Sequence, residues 1–350
     1  MNCCKWKQKR GVGKMLNPIQ AVVLTTFKCT AACPECCFEC SPDNEKILSY
    51  QEIVSFLEQC HKKWNMRRVI WSGGECFLLG EDLKRGIAYA KKLGMYSRCV
   101  TNGFWATSEE IAYEKLKELH QLGLEELNLS TGDEHQLYVP QDRILNATIA
   151  AAKLNMRVVI SIETREKTNV TREKFINDPR YQAEIENTEL KKFVSILSAI
   201  WVSYHKDTVF EYSENSEDYV EYKGCDSLFE SICLTPNRTI VGCCGLSVEH
   251  IPEMTIGNFG EDLSEILEKQ FHDFLKIWLY VDGPKKILDY VKEWENNIEI
   301  PKFMHTCQAC AFIYQNKRVQ EIINNNFKKC YTEVLERFKA KQTLKNAKII

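Results

Sequence analysis

Apolar and polar positions follow two periods over the first 212 residues. Short β-branched or apolar runs at 21–26, 68–71, 96–100, 125–129 and 157–162 each predict a strand. Between them the apolar positions return every three to four residues. Ile53, Phe56, Leu57 and Cys60 mark an amphipathic helix opened by the capping box Ser49-Tyr-Gln-Glu52. Residues 83–93 read as a helix stopped by Gly94. Thr107-Ser-Glu-Glu110 is a second capping box, opening a helix that ends at Gly123, and 144–154 is the helix after the fourth strand. Residues 180 to about 200 are helical in pattern, and 208–212 predict a sixth strand. Strands alternating with helices of this length imply parallel pairing through right-handed crossovers. Five or six such units are too few for a closed eight-unit barrel. The predicted fold class is α/β, an open partial (β/α)6 barrel whose chemistry sits on loops at the C-terminal ends of the strands.

From residue 213 the alternation stops. Glu211, Glu214, Glu217, Asp218 and Glu221 make an acidic stretch, read as a solvated loop. Pro236-Asn237-Arg238 is a turn between strands at 232–235 and 239–241. Helices follow at 262–269, 274–279 and 287–294, and a last helix at 319–341. The expected organisation is a tail at 1–19, the barrel at 20–212 and a C-terminal domain at 213–350.

Composition narrows the class. An apolar fraction of 44% and a charged fraction of 27% are those of a globular protein. A net charge of −2 gives no case for nucleic acid, and no apolar stretch reaches membrane-spanning length. The N-terminus has basic residues without a following apolar segment, so no signal peptide is read and a cytoplasmic setting is expected. Seventeen cysteines then point to metal ligation in a reducing compartment rather than to disulfides. They cluster at 29–40, at 225–244 and in the pair Cys307-Gln-Ala-Cys310.

Cys29-Thr-Ala-Ala-Cys33-Pro-Glu-Cys36 directly follows the first strand. Three thiols spaced C-x3-C-x2-C can each bind one iron of a four-iron cluster, leaving the fourth iron open to a small molecule. Alone, the spacing also fits a zinc knuckle or unrelated thiols. Its company argues for the cluster. Ser72-Gly73-Gly74-Glu75 follows the second strand, Thr101-Asn102-Gly103 the third, Ser130 ends the fourth and Glu163 the fifth. All would gather on one rim. Glycine permits close backbone approach and a carboxylate suits an ammonium group. Asn102 is a cofactor contact or a plain Asn-Gly turn; His135 either lines the pocket or is a satisfied surface histidine. A second metal site is drawn from Cys225, Cys233, Cys243, Cys244, Cys307 and Cys310, as a zinc ribbon or a second four-iron cluster.

The loop spacing together with Gly73-Gly74-Glu75 resembles the radical S-adenosylmethionine (SAM) superfamily. The tail Cys36-Cys37-Phe38-Glu39-Cys40-Ser41-Pro42 goes further. With Ser72-Gly-Gly-Glu-Cys-Phe-Leu78, Thr101-Asn-Gly-Phe-Trp105, Cys243-Cys244 and the C-x2-C pair, it resembles the YydG-type peptide epimerases, which form D-amino acids in ribosomally made peptides. The resemblance implies a 4Fe-4S cluster with an open iron on Cys29, Cys33 and Cys36. SAM would be held by Gly73, Gly74, Glu75, Asn102, Ser130 and Glu163. An auxiliary 4Fe-4S cluster in a SPASM- or twitch-like domain would take Cys225, Cys243, Cys307 and Cys310, with Cys233 an alternative to Cys225.

In the implied reaction a radical made from SAM takes a Cα hydrogen from a precursor peptide. Cys244 returns a hydrogen atom on the other face; alternatively, Cys244 is itself a cluster ligand. A flavodoxin- or ferredoxin-type donor would supply low-potential electrons. Besides lacking a clear proline-to-glycine cofactor motif after the fifth strand, the sequence departs from the pattern in three places. Glu35 stands where the superfamily often has an aromatic residue, Asp133 is one place off a Ser-x-Asp-x-x-His pattern, and Cys225 lies two residues further from the doublet than the pattern has it. Radical cross-linking of a peptide, and a non-catalytic electron carrier, remain the rival functions.

Overall fold

The computed structural model describes residues 16–165, 167–205 and 222–347. The chain divides into two compact units. One comprises Gln20–Ser213 with Leu234–Arg238, the other Met1–Ile19, Glu214–Cys233 and Thr239–Ile350.

The first unit alternates β1 (Gln20–Leu24), α1 (Tyr50–Trp64), β2 (Arg68–Ser72), α2 (Glu81–Lys92), β3 (Tyr96–Thr101), α3 (Glu109–Leu122) and β4 (Leu124–Thr131). It continues through the single turn α4 (Asp133–Gln136), α5 (Gln141–Lys153), β5 (Arg157–Thr164), α6 (Arg172–Ile176), α7 (Pro179–Tyr181) and β6 (Val194–Ile200). The six strands lie in sequence order and every neighbouring pair is parallel. Leu24 pairs with Ser72, Thr101 with Leu129, Thr131 with Ile162, and Thr164 with Ile200. The C-terminal ends therefore come out at one rim, as a partial (β/α)6 barrel requires. Val69, Trp71, Leu127, Leu129, Ile160 and Ile162 are fully buried.

The local signals explain most of these elements. Ser49 and Glu52 form the reciprocal capping box of α1, a motif whose cap alone contributes about 1 kcal/mol. At α3 the cap is Ser108, which accepts from the Ile111 N–H, rather than Thr107. The helix expected over 180–200 is corrected. It stops within a turn, passes through a π turn at Gln182–Glu186 and a 3-10 turn at Glu189–Phe193, and gives way to β6. Val194-Ser-Ile-Leu-Ser-Ala-Ile200 is a strand because its β-branched residues pair in register with β5. The strand expected at 208–212 lies outside the described residues.

The second unit contains α8 (Ser227–Glu230, a distorted turn), β7 (Ser231–Leu234), β8 (Thr239–Val241) and β9 (Thr255–Asn258), with β8 and β9 antiparallel. Then come α9 (Leu263–Gln270), α10 (Phe274–Trp294), α11 (Thr306–Gln315), α12 (Lys317–Asn326) and α13 (Tyr331–Asn346). The two helices expected at 274–279 and 287–294 are one element broken at Gly283-Pro284. The last expected helix is two, parted by a 3-10 turn at Phe327–Lys329. The run Asn324-Asn-Asn326 has low helix propensity there. Among the described residues no helix is long and apolar enough to cross a membrane.

Candidate active site

The cysteine loop leaves β1 and is pinned from the exits of β2, β3, β4 and β6. Its tail folds back beside its start: the Cys29 N–H donates to Ser41 O at 3.1 Å, and Lys28 and Ser41 form a parallel bridge. Cys29, Cys33 and Cys36 are half-buried on this loop, while Cys40 is buried.

From the β2 exit, the Gly74 N–H donates to Thr26 O (2.6 Å) and the Glu75 N–H to Lys28 O (2.9 Å). This zipper explains both glycines. Gly73 has φ +123°, and a Cβ on Gly74 would lie 2.1 Å from Lys28 O. Glu75 is fully buried and its carboxylate accepts from Thr101 Oγ1 (2.8 and 2.9 Å), the Asn102 N–H (2.9 Å) and the Phe77 N–H (3.0 Å). Burial pushes its pKa up to about 7 against those stabilising hydrogen bonds. From the β3 exit, Asn102 Nδ2 donates to Thr30 Oγ1 at 3.0 Å and reaches Cys29 Sγ at 3.7 Å.

The β4 and β5 exits act together. Glu163 is 4% exposed and accepts from the His135 N–H (3.2 Å), from His135 Nδ1 (2.6 Å) and from the Glu134 N–H. His135 is thus a satisfied histidine, partly covered and fixed by Glu163. Its neighbour Tyr138 donates its hydroxyl to Ala32 O of the cysteine loop at 2.8 Å. Ser130 is half-buried near the end of β4, level with Ser161. At the β6 exit, buried Glu35 accepts from the Tyr204 N–H (2.9 Å) and lies 3.1 Å from His205 Nδ1. The hydrogen bond to Glu35 raises the His205 pKa. An acid in place of an aromatic therefore straps the loop to the last strand. The departure at Glu35 was visible in the sequence, but its partner on the β6 exit was not.

The three thiols are close enough to influence one another. Burial raises Cys29 to about 11, with Cys36 adding to it, and raises Cys33 further, with Cys36 and Cys29 contributing. Cys36 is held down at about 6, first by the Cys40 thiol and then by backbone N–H groups of Cys40 and Phe38. One thiolate stabilised in advance suits metal ligation.

In the second unit, four thiols converge from distant elements. The Cys225 N–H donates to Leu279 O of α10 at 3.0 Å. Cys307 sits in the first turn of α11 and Cys310 three residues on, on the same face, with His305 Nδ1 capping the Cys307 N–H at 3.1 Å. A helix N-terminus favours thiolates. A Cβ on Gly245 would meet Cys307 Sγ at 3.0 Å and Cys243 Sγ at 3.3 Å, so these two sulfurs flank one glycine. Burial raises all four thiols, and Cys225 adds to the shifts of Cys243, Cys307 and Cys310. Cys233 is buried on β7. Cys244 is half-exposed and its thiol donates to Ser231 Oγ (3.4 Å) and Ser227 Oγ (3.7 Å). Among the described residues no three His, Cys, Asp or Glu side chains are closed around a single ion.

Residues 23–166 match the family model of the Radical SAM superfamily. That segment is similar to radical SAM domains. Over 317 residues the chain is 23% identical to YydG of Bacillus subtilis (strain 168), a protein named for peptide biosynthesis, covering 86% of this chain and 96% of that one. Among solved structures, Streptococcus suis SuiB bound to precursor peptide SuiA matches with a TM-score of 0.51 at 14% identity, over 84% of this chain and 76% of SuiB. The enzyme anSMEcpe with AdoMet and Cp18Cys peptide matches with a TM-score of 0.51 at 14% identity, over 88% of this chain and 99% of that one. These likenesses show the fold, a partial (β/α)6 barrel followed by a C-terminal domain.

Proposed function

We propose that this protein is a radical SAM enzyme that modifies a ribosomally made precursor peptide in the cytoplasm, converting L- to D-residues. Cys29, Cys33 and Cys36 would hold a 4Fe-4S cluster with an open iron; Cys225, Cys243, Cys307 and Cys310 would hold an auxiliary 4Fe-4S cluster. When bound, the first cluster and SAM supply a hydrogen-abstracting radical.

The chain's residues position and complete that chemistry. Gly73 and Gly74 bring backbone against the cysteine loop, and Asn102 braces Cys29 and Thr30. Glu75 fixes the β2 and β3 exits to each other, and Glu163 fixes the turn that carries His135. Ser130 borders the same rim. Cys244 would return a hydrogen atom to the peptide Cα, and its sulfur radical would become a thiol again by taking one electron from a flavodoxin- or ferredoxin-type donor and one proton from solvent.

The unequal fates of two adjacent cysteines carry this reading. Cys243 is 8% exposed beside Cys307, while Cys244 keeps a half-exposed thiol held by two serine hydroxyls. A peptide substrate is supported by the naming of YydG and by the precursor peptide bound to SuiB.

The test is turnover of the cognate peptide in heavy water, read by mass spectrometry and chiral amino-acid analysis. One deuterium per altered Cα is expected, because a thiol hydrogen exchanges with solvent, and Cys244→Ala should still cleave SAM while forming no D-residue. A product lighter by two hydrogens would be cross-linked instead, and D-residues formed by Cys244→Ala would remove Cys244 from its role.

A further inference from the structure

Behind the cysteine doublet, α9 and α10 carry two buried polar side chains that the proposed reaction leaves unused. Gln270, the last residue of α9, is 2% exposed. Among the described residues neither its Oε1 nor its Nε2 has a hydrogen-bond partner. Its amide lies flat against Gly242, the residue before Cys243. A Cβ there would sit 2.2 Å from Oε1 and 2.5 Å from both Cδ and Nε2. An unpaired buried carboxamide is destabilising, so it marks a place where a partner belongs.

Lys276, in the first turn of α10, is 4% exposed. Its Nζ donates to Glu253 O at 2.6 Å, and among the described residues it forms no ion pair. The carboxylates acting on it are Asp273, the N-cap of its own helix, and Glu253; the thiols of Cys243 and Cys310 act on it as well. Burial lowers the Lys276 pKa, and the negative groups around it offset part of the cost of burying the ammonium.

We propose that Gln270 and Lys276 form a polar wall that raises the reduction potential of a cluster on Cys225, Cys243, Cys307 and Cys310, Gln270 supplying a hydrogen bond and Lys276 a positive charge. This rests on the reading of those four cysteines as ligands. Reduction adds negative charge, which a neighbouring cation and N–H donor stabilise; hydrogen bonds and net charge are among the factors that set cluster potentials.

The experiment is a redox titration followed by electron paramagnetic resonance on the full chain, loaded without oxygen, in a Cys33→Ala background that silences the loop cluster. Lys276→Met should shift the oxidised-to-reduced ratio about tenfold toward oxidised, about 59 mV for one electron. Gln270→Leu should shift it the same way by less, and Lys276→Arg should restore the parent value. Iron and sulfide content should stay equal throughout. Parent midpoints in Lys276→Met and Gln270→Leu with full iron would overturn the proposal. If Lys276→Met cannot hold iron, a parent midpoint in Gln270→Leu overturns it and a lowered one supports it. Absence of iron from the parent itself would instead bring down the ligand assignment on which the proposal stands.

Discussion

The two thiol sets are assembled in opposite ways. In the barrel unit Cys29, Cys33 and Cys36 share one loop, and the fold's work is to pin that loop. Hydrogen bonds reach it or its neighbours from the exits of β2, β3, β4 and β6, with β5 acting through Glu163. In the C-terminal unit the thiols come from the approach to α8, from the segment after β8, and from α11, and the fold's work is to bring them together. A loop-borne set can leave one coordination position open, whereas ligands drawn from several elements close around their group. The first arrangement suits chemistry on a small molecule, the second a resident cofactor.

That contrast can be broken by substitution. The largest effect is expected from Cys33→Ala, which should abolish formation of 5′-deoxyadenosine from SAM and remove about half of the iron. The melting temperature should barely move, because the thiol is half-buried on a loop; a large drop would make the loop a structural site like its counterpart. Next comes Gly74→Ala. Its Cβ would lie 2.1 Å from Lys28 O, so the zipper must open at about 1–3 kcal/mol and SAM cleavage should fall by at least about tenfold. Unchanged cleavage would show that the two loops need not touch.

In the other unit, Cys225→Ala should lose the auxiliary iron with a clear fall in melting temperature, while Cys233→Ala, a buried thiol on β7, should keep it. The reverse result, read by iron analysis, would reassign the fourth ligand. The smallest effect concerns pH. Glu75 has a folded pKa of about 7 against an ordinary value of 4.5. The folded state therefore keeps a proton that the unfolded chain releases. Stability present below pH 4.5 is lost as pH rises through 7. The melting temperature of wild type relative to Glu75→Gln should accordingly decline over that window, and a flat difference would contradict burial as the cause.

The repeating barrel units were legible because their apolar periods and caps are local. Ser49-Tyr-Gln-Glu52 and the β-branched strands act through neighbours in sequence. Residues 194–200 misled because a short apolar run has no period of its own, and pairing with β5 decided it. The cysteine loop was legible for the same reason of contiguity. Its supports were not. Glu35 meets Tyr204 and His205 across 169 and 170 residues, and Glu163 meets His135 across 28. Nothing local in the sequence marks Gln270 or Lys276, whose meaning lies in burial beside a doublet far upstream.

The account turns on an iron that the loop thiols leave open to SAM. Its most direct measurement is oxygen-free loading of wild type with iron and sulfide, followed by reduction with SAM present and chromatography for 5′-deoxyadenosine. The account predicts two cluster signals, one of them perturbed by SAM, and steady release of the nucleoside that Cys29→Ala, Cys33→Ala and Cys36→Ala each abolish. Zinc in place of iron, or iron-loaded protein that leaves SAM intact, would contradict it.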